Sequence, residues 1–219
     1  MKPPSPALPP RASRGHALAA VALAVAVATL ASCSLSRPSP IKRTFLLEPA
    51  APAAAAAPRP ASVRVGVVNI AAPFRGKAFV YRESELGYSA DYYDEFFIAP
   101  AIMLSEATAK ALVGAKVFRR VVPFGAAADD GDYVLDGFVS EFYGDARTPA
   151  APFGVVAVAF YLSPTNVPGP AVIWSREYRQ RVAAAGPSPE AMARAWNAAL
   201  SAVLADLARD LAAAELPAK

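Results

Sequence analysis

The run Leu30-Ala31-Ser32-Cys33 closes an uncharged stretch from Ala17 to Leu30, and no other feature constrains the chain as much. Lys2, Arg11 and Arg14 stand ahead of that stretch with no acidic residue among them, so the segment reads as the n-region and h-region of an export signal. Its fourteen residues are fewer than the about 20 that a helix needs to cross a hydrocarbon core. The run is therefore expected to be a cleaved signal and not a span. Small side chains at Ala31 and Ser32 suit a peptidase cleft, and the thiol of Cys33 is placed to take a diacylglyceryl group.

This pattern resembles the lipobox of bacterial lipoproteins. Residues 1–32 are read as the signal peptide and Cys33 as the lipidation site. One acyl chain holds a protein on a bilayer only marginally, whereas two or more hold it stably. Ser34, and not Asp, follows the cysteine, which resembles lipoproteins sorted onward to the periplasmic face of the outer membrane.

Composition removes several functional classes. The chain has 22 Lys and Arg against 18 Asp and Glu, a formal charge of +4, but three of those bases lie ahead of Cys33 and the remainder is nearly neutral. A basic pI is thus no sign of nucleic acid. Cys33 is the single cysteine and His16, within the signal, the single histidine. The mature chain is left without a disulfide, an imidazole base, the usual zinc ligands or a Cys or Ser-His nucleophile arrangement. No catalytic residue, metal site or cofactor beyond the covalent lipid is expected. Asp91, Asp94 and Asp136 are carboxylates of the acid–base type, but they sit in no recognisable active-site motif, so the protein is read as non-enzymatic.

After Cys33, residues 33–61 read as a tether. Thr44 to Leu47 is a short extended piece, and Ala50 to Pro60, almost wholly Ala and Pro, is read as a solvent-exposed linker with polyproline character. The folded domain is placed at 62–216. Strands are expected at Val63 to Ile70, Phe79 to Arg82, Gly87 to Ala90, Val117 to Val122, Tyr133 to Tyr143, Val155 to Leu162 and Val172 to Val182. Two helices are expected. One spans Pro100 to Ala115, with Ile102, Ala109, Leu112 and Val113 on one face and its end near Gly114; the other spans Pro189 to Glu215, capped by Ser188, with a stripe of Met192, Trp196, Leu200, Val203, Leu207 and Leu211. The fold class that follows is α+β: a two-layer sandwich of a mixed, mainly antiparallel sheet with both helices on one face. Its other face must be wet or covered by a partner.

Several groups carry two readings. Phe79 to Ser89 reads as a hairpin in which Tyr81, Arg82 and Tyr88 either meet a partner or form cross-strand pairs. Tyr92, Tyr93, Phe96 and Phe97 either pack the start of the first helix or face a partner or acyl chain. Asp129, Asp130 and Asp132 around Gly131 lack the ligand spacing of a calcium loop and read as a solvated turn. The apolar run Phe153 to Leu162 reads as a central strand.

From Thr44 onward the chain is similar to the ABC-type transport auxiliary lipoprotein family, the lipoprotein component of MCE-type lipid transport systems related to the paraquat-inducible system. Arg43-Thr44-Phe45-Leu46-Leu47-Glu48-Pro49, Phe79-Val80-Tyr81-Arg82, Leu86-Gly87-Tyr88-Ser89, the segment Asp91 to Phe97, Tyr133 to Phe138 and Trp174 to Tyr178 carry the resemblance. It implies an outer-membrane-anchored subunit that docks a periplasmic MCE-domain protein, served by an ABC permease and ATPase, and assists phospholipid transport. A ring of copies matching an MCE tunnel is a further hypothesis. The alternative is a structural lipoprotein assisting another outer-membrane complex, such as a lipopolysaccharide-export-like β-barrel.

Overall fold

A computed structural model describes residues 41–126, 131–165 and 171–217. The signal, Cys33, Asp129 and Asp130 lie outside these. The elements run β1 (Arg43–Phe45), β2 (Arg59–Ile70), a 3-10 turn (Ala72–Phe74), β3 (Ala78–Arg82), β4 (Tyr88–Phe96), α1 (Pro100–Ala115), β5 (Phe118–Val122), β6 (Tyr133–Asp145), β7 (Phe153–Pro164), β8 (Trp174–Ala183) and α2 (Pro189–Ala213).

All the strands join one mixed sheet organised around β6. One edge of β6 pairs along its length with β7, which pairs in turn with β8, giving the expected antiparallel meander. The other edge is shared. Its first half, Tyr133 to Val139, pairs in parallel with β2, and its far end, Gly144 and Asp145, pairs in parallel with Tyr81 and Arg82 of β3. Beyond β2 lies β5, and beyond β3 lie β4 and then β1. The long ladders are antiparallel, while the early strands pair largely in parallel.

Both helices lie on one face and touch each other, α1 over β2 and β5 and α2 over β7 and β8. The α2 stripe is buried throughout. Ser188 caps the helix by accepting from the Ala191 N–H at 3.2 Å, with Pro189 in the first turn. Gly154 of β7 lets α2 approach: a Cβ there would lie 2.8 Å from the Trp196 backbone nitrogen and 3.0 Å from the Ala195 Cβ. Trp196 then enters a cluster of rings, its centroid 4.7 Å from Phe79, 5.5 Å from Phe96 and 5.7 Å from Phe142, while its indole N–H donates to the Tyr143 carbonyl at 2.9 Å.

A bulge in β2 fixes α1. Val65 and Val68 oppose Leu135 and Gly137, so two residues, Gly66 and Val67, fit against one, and both valines point inward. The Val68 N–H donates to the buried Ser105 hydroxyl of α1 at 2.9 Å, and Ser105 donates to the Ala101 carbonyl.

Two expectations need correction. Ala109 and Leu112 are buried as expected, but Ile102 and Val113 are exposed and α1 packs through Met103, Leu104, Ala107 and Ala111 as well, because its many alanines blur the apolar stripe. The helix ends at Ala115 as expected, and the residue that closes it in the left-handed conformation is Lys116 (φ 50°), two positions after Gly114. Residues 43–61 are not a tether. β1 pairs with β4, Leu47 and Pro52 are buried, the Ala50 N–H donates to the Ser201 hydroxyl, the Ala55 N–H donates to the Ala115 carbonyl, and β2 already begins at Arg59. Alanine and proline give the same composition to a free linker and to a strap held by the two helices. The apolar run of β7 is central as expected, with Val155, Val156, Val158 and Phe160 all buried.

Gly154→Ala is expected to lower stability by about 1–3 kcal/mol, since its methyl group meets helix backbone and not a movable side chain. Thermal unfolding of purified wild-type and variant chains checks this. At about 2–4 °C per kcal/mol for a domain of this size, the Tm should fall by at least about 2 °C.

Candidate functional site

The candidate residues divide between the two faces of the β3–β4 hairpin. Phe79 and Tyr81 point to the helices, and alternation sends Val80 and Arg82 the other way. Tyr81 sits 6.4 Å from the Trp196 ring, and burial pushes its phenol well above its ordinary pKa. Phe96 is 2% exposed and packs on Phe79, Phe142 and Trp196. Phe96 is thus a core residue, and Tyr81 is partly buried against the core. Both were partner candidates from sequence, and it is their register on paired strands that assigns them inward.

Arg82 and Tyr88 are directly paired across the hairpin, with the guanidinium 5.7 Å from the ring centroid. The tip is held by the Glu83 N–H donating to the Gly87 carbonyl and by the Arg82 guanidinium donating to the Glu85 carbonyl at 2.7 Å. Tyr88 also packs at 5.7 Å against Tyr143, which stacks on Phe74, so part of its surface braces the helix-free face of the sheet. Leu86 at the tip is fully in solvent, an exposure that its polar neighbours in sequence do not announce.

Tyr92, Tyr93 and Phe97 make a different surface. They belong to the end of a strand and the residue after it, not to a helix start. Asp91 accepts from the N–H groups of Tyr93 and Asp94, which kinks β4 and turns both tyrosines out. Tyr92 is 72% and Phe97 62% exposed, and the tyrosine rings meet edge-on at 5.0 Å. Lys42 lies 5.0 Å from the Tyr92 centroid and 3.5 Å from Glu95, which also holds Lys77 at 3.6 Å. By alternation from Lys42 and Glu95, exposed Leu46 and Phe97 fall on this face too. Leu46, an exposed apolar residue placed within the tether by sequence, completes the patch, and exposed Ile41 lies next to Lys42 in the chain. Pairing of β1 with β4 was the missing signal.

Arg43 fixes β1 to this edge. Its guanidinium donates to both oxygens of the buried Asp94 carboxylate at 2.8 and 3.0 Å and to Glu190 of α2 at 3.0 Å. Asp94 is therefore a structural anion, and Asp91 caps backbone. The third carboxylate, Asp136, lies on the helix-free face over Gly66, where burial raises its pKa and Arg64 opposes the rise. Val67, Phe138 and Tyr161 are half-exposed on that face, with Phe138 opposite Ala159 and Tyr161 opposite Asp136. Asp132 of the acidic turn accepts from the Ser62 N–H and hydroxyl and so joins β2 to β6.

Near the hairpin, Asp145 accepts from Arg147 at 2.7 and 2.9 Å and from Arg181 at 3.4 Å. The hydrogen bonds from Arg147 hold its carboxyl well below the usual carboxylate range, against the opposing effect of burial.

These arrangements are meaningful against known proteins. The family model for the ABC-type transport auxiliary lipoprotein component matches residues 45–208. The chain belongs to this family. The matched span covers nearly the whole sheet and both helices, and it opens at Phe45 inside β1, in agreement with the packed strap. No curated protein matches the chain. Among solved structures, a Xanthomonas campestris protein of the DUF330 family model superposes with a TM-score of 0.67 at 16% identity, covering 77% of this chain and 95% of that one. The crystal structure of an uncharacterized protein gives a TM-score of 0.61 at 15% identity, covering 78% and 99%. At those identities the likeness shows the fold. Membership of the family makes the chain a lipoprotein component of ABC-type transport, which belongs to the cell envelope.

Two outcomes follow. Asp94→Ala should free β1, seen as faster hydrogen exchange at 43–47 than in wild type with little change in β6 and β7. For Asp145 the folded pKa is depressed, so its contribution is full above the unfolded value near about 4 and is lost as pH falls through the folded value. Asp145→Asn should therefore lose less Tm than wild type between about pH 5 and pH 2 in acid melts.

Proposed function

We propose that this protein is the outer-membrane-anchored lipoprotein subunit of an MCE-type ABC lipid transport system, which docks the periplasmic MCE-domain protein and assists phospholipid transfer between membranes. The observation that carries this reading is the family match over residues 45–208, joined to a lipobox at Leu30 to Cys33 directly upstream. Ser34 after the cysteine supports outer-membrane sorting. The role is non-enzymatic and needs no cofactor beyond the lipid: Asp91 and Asp94, the nearest carboxylates, serve the backbone and Arg43.

The contact with the MCE protein is assigned to the helix-free face around Val67, Phe138 and Tyr161. Regular strands hold these apolar side chains half-exposed on a rigid surface, which favours a protein partner. The paraquat-inducible-like permease and ATPase would then be reached through the MCE protein and not by this chain directly.

A crosslinked pull-down of the lipidated chain from native membranes tests this. Wild type should recover an MCE-domain protein, and Phe138→Glu, with an unchanged Tm, should recover about tenfold less, the equivalent of about 1.4 kcal/mol. Recovery of a β-barrel in place of an MCE protein would favour the alternative, a structural lipoprotein of another outer-membrane complex.

A further inference from the structure

The patch of Tyr92, Tyr93 and Phe97 lies where the chain enters its folded domain. Lys42, against the Tyr92 ring, is the residue before β1, and Ile41 precedes it fully exposed. Seven residues separate Cys33 from Ile41, and the eight steps between them, at 3.3–3.6 Å each, reach at most about 29 Å. A folded unit of about 180 residues has a radius of gyration of about 16 Å and is about 40 Å across. The tether is shorter than the domain is wide. A lipid on Cys33 would therefore hold Ile41, two residues before β1, within about 29 Å of the bilayer, less than the width of the domain.

We propose that this edge is itself a membrane contact, in which Tyr92, Tyr93 and Phe97, with Ile41 and Leu46, lie in the headgroup layer of the membrane that carries the anchor. The inference rests on the Cys33 anchor proposed above. Its chemistry fits a phospholipid surface. Phenol rings with an apolar body and a polar tip favour the membrane–water interface, where Phe97 and Ile41 can reach the first methylenes. Lys42 and Lys77, which share Glu95, place two ammonium groups beside the rings, where they can meet lipid phosphates. The lipid anchor fixes the distance to the bilayer, and the aromatic edge fixes the orientation. The patch occupies the β1–β4 end of the helix-free face, and Val67, Phe138 and Tyr161, on β2, β6 and β7 of the same face, stay available to a protein.

The test uses the full lipidated chain in vesicles of phosphatidylethanolamine and phosphatidylglycerol doped with phospholipid brominated near the head of the acyl chain, which quenches tryptophan at short range. Tyr92→Trp and Phe97→Trp are compared with wild type, whose own Trp174 and Trp196 set the background, and with Tyr161→Trp. Flotation with the vesicles is measured on the same samples. Expected is flotation of all chains, with the two patch tryptophans quenched at least about twofold beyond background and Tyr161→Trp at background. Chains that float with patch tryptophans at background overturn the contact while leaving the anchor standing. If those tryptophans also shift to shorter wavelength as protein concentration rises without vesicles, the occupant is a second copy of the chain. If they shift only when an MCE-domain protein is added, it is that partner. Chains that fail to float overturn the anchor and the contact together.

Discussion

The burial of Trp196 holds the architecture in place. Its ring gathers Phe79 of β3, Phe96 of β4 and Phe142 of β6, and its N–H finds the Tyr143 carbonyl, so one side chain of α2 ties the β3–β4 arm of the sheet to the long central strand. An indole buried with its N–H unpaired would lose much of that gain, since a buried donor without a partner costs about 1–3 kcal/mol. The satisfied bond and the absent Cβ at Gly154 make the close approach favourable. Truncating such a ring typically costs about 3–5 kcal/mol.

Because β6 shares one edge between β2 and β3, the sheet has two arms with different work. The β2–β5 arm carries α1 and the bulge that Ser105 satisfies. The β3–β4–β1 arm receives the incoming chain, clamps it through Arg43 and Asp94, and turns aromatic side chains outward. A chain held by the lipid proposed on Cys33 would need β1 to withstand displacement. A bidentate bond to a buried carboxylate supplies that better than apolar contact at an edge alone.

Much of this was legible in the sequence. The boundaries of α1, the cap and stripe of α2, the meander and the hairpin follow from Pro100, Ser188, the spacing from Met192 to Leu211, and alternation in β3 and β6. What escaped was set by long-range pairing. Nothing local distinguishes Ala50 to Pro60 as a packed strap from a free linker, and nothing local shows that Phe96 points inward while Phe97 points out. A kink at Asp91 decides which of four neighbouring rings reach solvent, and it depends on a side chain bonding to its own backbone. The β2 bulge likewise puts Val67 on the open face, where simple alternation from Val63 would turn it inward.

The most direct test of an anchored domain with separate lipid and protein surfaces is photocrosslinking in native membranes, with a light-activated residue placed at Tyr92 in one lipidated chain and at Phe138 in another. Expected is a phospholipid adduct from position 92 and an MCE-domain protein from position 138. A protein adduct from position 92, with none from 138, would contradict the division of surfaces and require the domain to stand on the membrane the other way round.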